Sequence, residues 1–125
     1  MQLDGTGRNG GALGLALLAA CGVLLSACGS SGSVQATSAV TDACQQVSAV
    51  LSNGPDPGAD PVGYAEAQIR PLRQVHTSDK QLQAAVDDLA SAYQRFFSTQ
   101  GADAAKQAVS QASHSVNVIC PGAAS

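Results

Sequence analysis

Residues 78–96 read Ser78-Asp79-Lys80-Gln81-Leu82-Gln83-Ala84-Ala85-Val86-Asp87-Asp88-Leu89-Ala90-Ser91-Ala92-Tyr93-Gln94-Arg95-Phe96. Leu82, Ala85, Val86, Leu89, Tyr93 and Phe96 recur at spacings of three and four, which lays them along one stripe of an α-helix. Asp87, Asp88, Gln94 and Arg95 fall mostly off the stripe. Ser78-Asp79-Lys80-Gln81 resembles a capping box, with Ser78 as the cap and Gln81 reaching back to it. Gln100-Gly101 closes the element.

Three more helices are predicted around this one. The first spans about Thr41 to Leu51, with Cys44, Val47 and Leu51 at helical spacing and Thr41 or Asp42 as its cap. Asn53-Gly54-Pro55 stops it, and Asp56-Pro57-Gly58-Ala59-Asp60 is turn chemistry. The second starts at Asp60-Pro61, where Asp caps and Pro at the first helical position has no N–H to lose. Val62, Ala65, Ile69 and Leu72 form its apolar stripe. Pro71 removes a hydrogen bond and crowds the carbonyl of Ala67, so a kink or break is expected there, with the segment ending near His76. The fourth runs from about Asp103 to Ile119 or Cys120, with Val109, Ala112, Val116, Ile119 and Cys120 on one face and Pro121-Gly122 beyond it. No stretch alternates as a strand does.

Composition agrees with an all-α reading. The chain has 125 residues, a formal net charge of −3, and four aromatic side chains, Tyr64, Tyr93, Phe96 and Phe97, with no Trp. One small domain fits that length, and abundant alanine favours closely packed helices. Arg and Lys are scattered without a basic stripe, which removes the electrostatic case for nucleic acid.

The N-terminal third follows a different rule. Gly11 to Ala27 is nearly all Ala, Leu, Gly and Val without a charge. As a retained helix, Ala12–Ala27 would rise about 24 Å, short of a bilayer core of roughly 30 Å. A cleaved signal peptide over residues 1–27 fits better, although Asp4 opposes Arg8 in its flank. Leu25-Ser26-Ala27-Cys28 resembles the lipobox of bacterial lipoprotein signal peptides. That resemblance implies that Cys28 is acylated and becomes the first mature residue. Leu18-Ala19-Ala20-Cys21 is a second match, but cleavage there leaves Val23, Leu24 and Leu25 exposed at the new terminus. An ordinary secretory signal is the plainer alternative. Residues 28–38 are rich in Ser, Gly, Ala and Thr and read as a flexible tether, leaving 39–125 as the helical domain.

With Cys21 cleaved away and Cys28 acylated, Cys44 and Cys120 remain. Export places them where an isolated pair forms a disulfide. Four helices joined by short loops alternate in direction, so the end of the fourth returns to the end where the first begins. The expected fold is therefore an antiparallel up-down-up-down four-helix bundle closed by Cys44–Cys120. Three helices would place these cysteines at opposite ends.

No catalytic constellation emerges. His76 and His114 form no metal-binding spacing; His76 suits the C-terminal end of helix two, and His114 points to solvent. Tyr64 and Tyr93 are expected to pack their rings and leave their hydroxyls wet. Asp87 and Asp88 diverge by about 100° on a helix, and Glu66 stands four residues before Arg70 in the favourable ion-pair order. No cofactor is expected. The stretch carrying Asp56, Asp60, Tyr64, Pro71 and His76 is the candidate interaction surface, because Pro71 between Arg70 and Arg73 breaks a local rule.

The whole chain resembles the small, Ala-rich lipoproteins of high-GC Gram-positive bacteria. The resemblance implies a cell-membrane protein, lipid-anchored on the extracytoplasmic face, and carries no activity with it. The expected function is a non-enzymatic interaction module with an envelope protein as partner. The alternative is a small carrier of haem, a metal or a lipid, with His76 and a tyrosine as its available pair. Any partner is expected on residues 53–64 and helix two, in preference to the surface around His114. Cys28→Ala is expected to move the protein from membrane to medium or to leave it unprocessed, read by fractionation and intact mass. Normal maturation of that variant, with failure of Cys21→Ala, would transfer the lipid site to Cys21.

Overall fold

The computed structural model describes the backbone of residues 31–125 and the side chains of residues 37–125. The 1–27 signal segment, Cys21, Cys28 and the start of the 28–38 tether lie outside the described residues. Four helices follow in order: α1 (Ser31–Leu51), α2 (Pro61–Leu72), α3 (Lys80–Ser98) and α4 (Asp103–Ile119). No strand occurs among the described residues. The helices form the antiparallel up-down-up-down bundle, and Cys44 is bonded to Cys120 with their α-carbons 5.4 Å apart. No helix among the described residues is long and apolar enough to cross a membrane.

α3 is the central element and packs along both α2 and α4. Its expected stripe is buried, and Ala90 and Ala92 are buried with it. Two flanking helices widen the apolar face, and alanine at its margins lets backbones approach closely. The cap lies one residue later than expected. Asp79, not Ser78, accepts from the Leu82 N–H at 2.8 Å, and its charge suits the helix N-terminus better than a hydroxyl does. Thr77 Oγ1 accepts from the Asp79 N–H at 3.2 Å. Gln83, not Gln81, reaches back: its Oε1 accepts from the Thr77 N–H at 3.0 Å, and its Nε2 donates to Asp87 at 3.1 Å.

α1 begins at Ser31, so the helix occupies most of the segment read as tether. That segment contains no proline to stop it. Thr41 is no cap; its hydroxyl donates to the Thr37 carbonyl at 2.9 Å from inside the helix. Ala43 and Val47 are the fully buried contacts of α1. Its C-terminal carbonyls are satisfied partly from α2. The Tyr64 hydroxyl donates to the Leu51 carbonyl at 2.7 Å, and Gln68 Nε2 donates to the Asn53 carbonyl.

α2 starts as expected, with Asp60 accepting from the Gly63 N–H at 2.8 Å and Pro61 in the first turn. Its end differs. Pro71 is the penultimate residue, so of the kink or break expected there the chain takes the break, and α2 ends at Leu72 and not near His76. Without a proline N–H the ladder stops, and the chain tightens through Gln74 N–H to Pro71 O at 3.0 Å and Val75 N–H to Leu72 O at 3.1 Å. Val75 then folds back into the core. Glu66 and Arg70 form no ion pair; among the described residues the ion pair is Lys106–Asp103 at 3.4 Å, on an exposed surface.

Gln100 at φ 51° and Gly101 at φ 81° turn α3 into α4. A Cβ at Gly101 would stand 3.3 Å from the Phe96 ring. α4 buries Ala105, Ala112 and Val116, with Val109 and Ile119 at the margin. Asn117 ties down the C-terminal tail by donating to the Ala124 carbonyl and accepting from its N–H, at 3.0 and 2.9 Å.

Cys44 and Cys120 are separated by 76 residues. Replacing both by Ser is expected to lower stability by about 4 kcal/mol in the chain-entropy account, read from urea denaturation. Equal midpoints for the oxidised and reduced protein would show that closing this loop contributes nothing.

Candidate functional site

The alternating topology divides the molecule into two ends. One holds the disulfide, the α2–α3 turn and the start of α3. The other holds the α1–α2 loop, the start of α2 and the α3–α4 turn. At that second end a cleft of about 200 Å³ opens between loop and helices. Pro57 and Pro61 form one lip, Tyr64 of α2 and Tyr93 and Phe96 of α3 form the wall, and Lys106 and Val109 of α4 close the other side.

Local chemistry explains how the wall is held. Asp56 Oδ1 accepts from the Gly58 N–H at 2.7 Å and shapes the loop around Pro57. Asp60 caps α2 and fixes Pro61. The Tyr64 and Tyr93 rings meet edge to face, with centroids 5.9 Å apart and planes at 76°. Such a pair adds roughly 0.5–1.5 kcal/mol beyond its buried area. The half-buried Tyr64 hydroxyl also has a backbone partner, the Leu51 carbonyl, which its expected solvent contact did not foresee.

Burial raises the pKa of both phenols. For Tyr64 it is the chief cause, opposed by hydrogen bonding with Tyr93. For Tyr93 burial again dominates, the neighbouring Tyr64 adds to it, and Ser113 opposes it. Both phenols therefore stay neutral at physiological pH and act as hydrogen-bonding groups.

The fold separates the residues proposed from sequence. Asp56, Asp60 and Tyr64 gather at the cleft end, the two carboxylates serving the backbone. Pro71 and exposed His76 lie at the disulfide end. His76 is thus remote from both tyrosines, and a histidine–tyrosine ligand pair is not assembled. Among the described residues, no group of three His, Cys, Asp or Glu side chains is placed to hold a metal. His114, Asp87 and Asp88 are exposed, and His114 and Asp88 line one shallow hollow between α3 and α4.

Sequence reasoning missed the roles of Tyr93, Phe96, Val109 and Lys106. The first three carry the periodicity of core residues, and only the packing of the loop against three helices leaves their edges open. Comparison of the chain with protein-family models, with curated proteins and with solved structures finds no match.

A pKa raised above the ordinary tyrosine value of 10.0 means that the folded state holds its phenolic protons more tightly. This contribution is complete below about pH 10 and is lost as pH rises through the folded-state values. Thermal stability is expected to fall above about pH 10, less steeply in Tyr64→Phe. Phenolate absorbance reads these residues alone, since the chain has two tyrosines. Ionisation of both at the ordinary value in the folded protein would contradict the burial argument.

Proposed function

We propose that this chain is an exported bacterial lipoprotein, anchored through Cys28 on the extracytoplasmic face of the cell membrane. Its helical domain acts as a non-enzymatic interaction module of the cell envelope. The address rests on the lipobox-like Leu25-Ser26-Ala27-Cys28, and the Cys44–Cys120 bond suits an oxidising compartment.

The observation that carries the interaction reading is the cleft of Tyr64, Tyr93 and Phe96 at the bundle end opposite the disulfide. Its aromatic wall and proline lip offer apolar area at low conformational cost, as interface anchors do. Its volume of about 200 Å³ is below the roughly 300–1,000 Å³ of sites that enclose a whole drug-sized ligand. It fits one ring or aliphatic side chain of a larger partner better than a haem. The anchor enters through α1 at the other end, so the cleft is carried on the face of the domain remote from the anchor.

Photo-crosslinking groups placed at Pro57, Val109 and His114 test this reading in intact cells. The expected result is a discrete envelope partner captured from Pro57 and Val109 and not from His114. Capture confined to His114 would move the interaction surface to α4.

A further inference from the structure

Three of the chain's six Arg and Lys residues lie within residues 70–80, and the fold sets them around one turn. Arg70 and Arg73 end α2, and Lys80 begins α3, so all three flank one turn. All are exposed, with exposed His76 between them. None has a carboxylate within ion-pair distance among the described residues, whereas Lys106 at the other end is paired with Asp103. Asp79, the carboxylate within this turn, is directed onto the Leu82 N–H.

Helix dipoles account for only part of this pattern. Cations near the C-terminus of α2 are favourable, which suits Arg70 and Arg73. Lys80 is the first residue of α3, where the dipole is positive and disfavours a cation.

The turn lies at the anchored end. Gln81 of α3 and Val118 and Ile119 of α4 line one hollow, so the start of α3 stands beside the end of α4. The disulfide joins that end to α1 at Cys44. From Cys44 the helix continues back to Ser31 over about 20 Å, and three residues further lies Cys28. We propose that the Arg70–Arg73–Lys80 turn is a second membrane contact, which binds anionic lipid headgroups and tilts the anchored domain onto the bilayer. This inference rests on the Cys28 anchor. A lipid chain combined with basic residues holds a protein more firmly than a single chain alone. Each cation near an anionic surface strengthens binding about fivefold. Held this way, the turn faces the bilayer and the aromatic cleft faces away from it.

The test uses the mature protein extracted from the envelope and reconstituted in two kinds of vesicle: phosphatidylcholine alone, or with one third phosphatidylglycerol. Flotation with neutral vesicles reports the anchor. The rate at which arginine- and lysine-selective reagents label each site, read by mass spectrometry, reports the turn. Arg95 and Lys106, at the opposite end, are the internal controls. On anionic vesicles, labelling of Arg70, Arg73 and Lys80 is expected to slow about fivefold relative to the controls, with recovery in high salt. On neutral vesicles the two sets are expected to label alike. In Arg70→Gln/Arg73→Gln the protection of Lys80 should weaken while flotation persists. Equal labelling on both vesicle types, or protection of Arg95 and Lys106 instead, would overturn the proposal. Failure to float with neutral vesicles would overturn the anchor, and labelling with anionic vesicles would still read the turn.

Discussion

The Cys44–Cys120 bond is the constraint on which the placement of α1 depends. α2, α3 and α4 pack along their lengths, with α3 between the other two. Among its described side chains α1 fully buries Ala43 and Val47, with Val40, Cys44, Val50 and Leu51 partly buried against the core, and it shares less contact with its neighbour than the other helices do. The disulfide fixes it at one level. At the other, Tyr64 and Gln68, one helical turn apart on α2, donate to the Leu51 and Asn53 carbonyls. These bonds satisfy acceptors that every helix C-terminus leaves open. A covalent clamp near the middle of α1 and a polar clamp at its end do together what a thin core does not.

The polar clamp is costly as well as stabilising. Gln68 is buried, and its Oε1 has no hydrogen-bond partner, a burden of about 1–3 kcal/mol for a buried polar atom. Its Nε2 is committed to Asn53, so turning the amide over would set two acceptors against each other. The loop is built around this reach. Gly54 lies at φ 115°, and a Cβ there would stand 3.0 Å from Gln68 Nε2. The same geometry that closes the loop holds Tyr64 against Tyr93, so the cleft wall depends on a hydrogen bond made to another helix.

Helical periodicity made the four elements legible, because each buries one face and its apolar residues must repeat every three or four positions. The cysteine positions then selected the topology, since an even number of helices is needed to bring Cys44 to Cys120. Decisions made among neighbouring residues were less legible. Ser78 and Asp79 are both good caps, and contacts of Thr77 and Gln83 decide between them. Pro71 signalled a break, but whether it kinks or terminates α2 depends on Val75 finding a place in the core. The start of α1 was hidden because its Ser, Gly and Thr are weak helix formers and read as a linker. The cleft was illegible for a further reason. Tyr93, Phe96 and Val109 look like core residues in any periodicity, and an open edge is a property of how elements meet.

The two ends of the bundle differ in chemistry because the chain reverses direction at each turn. Every odd turn brings the Pro- and Asp-rich loop, Gly101 and Asp103 to one end; the even turn brings Arg70, Arg73 and Lys80 to the other. A chain of net charge −3 thereby acquires unpaired cations at the end joined to its N-terminal segment and an aromatic cleft at the end remote from it. The cleft draws on residues from Pro57 to Val109 and is legible only once the helices are placed, whereas the three cations already lie within residues 70–80. The division needs a fixed α1, because the direction of that helix defines which end its N-terminus meets. The disulfide therefore does two things: it closes the bundle, and it fixes the direction in which α1 runs along it.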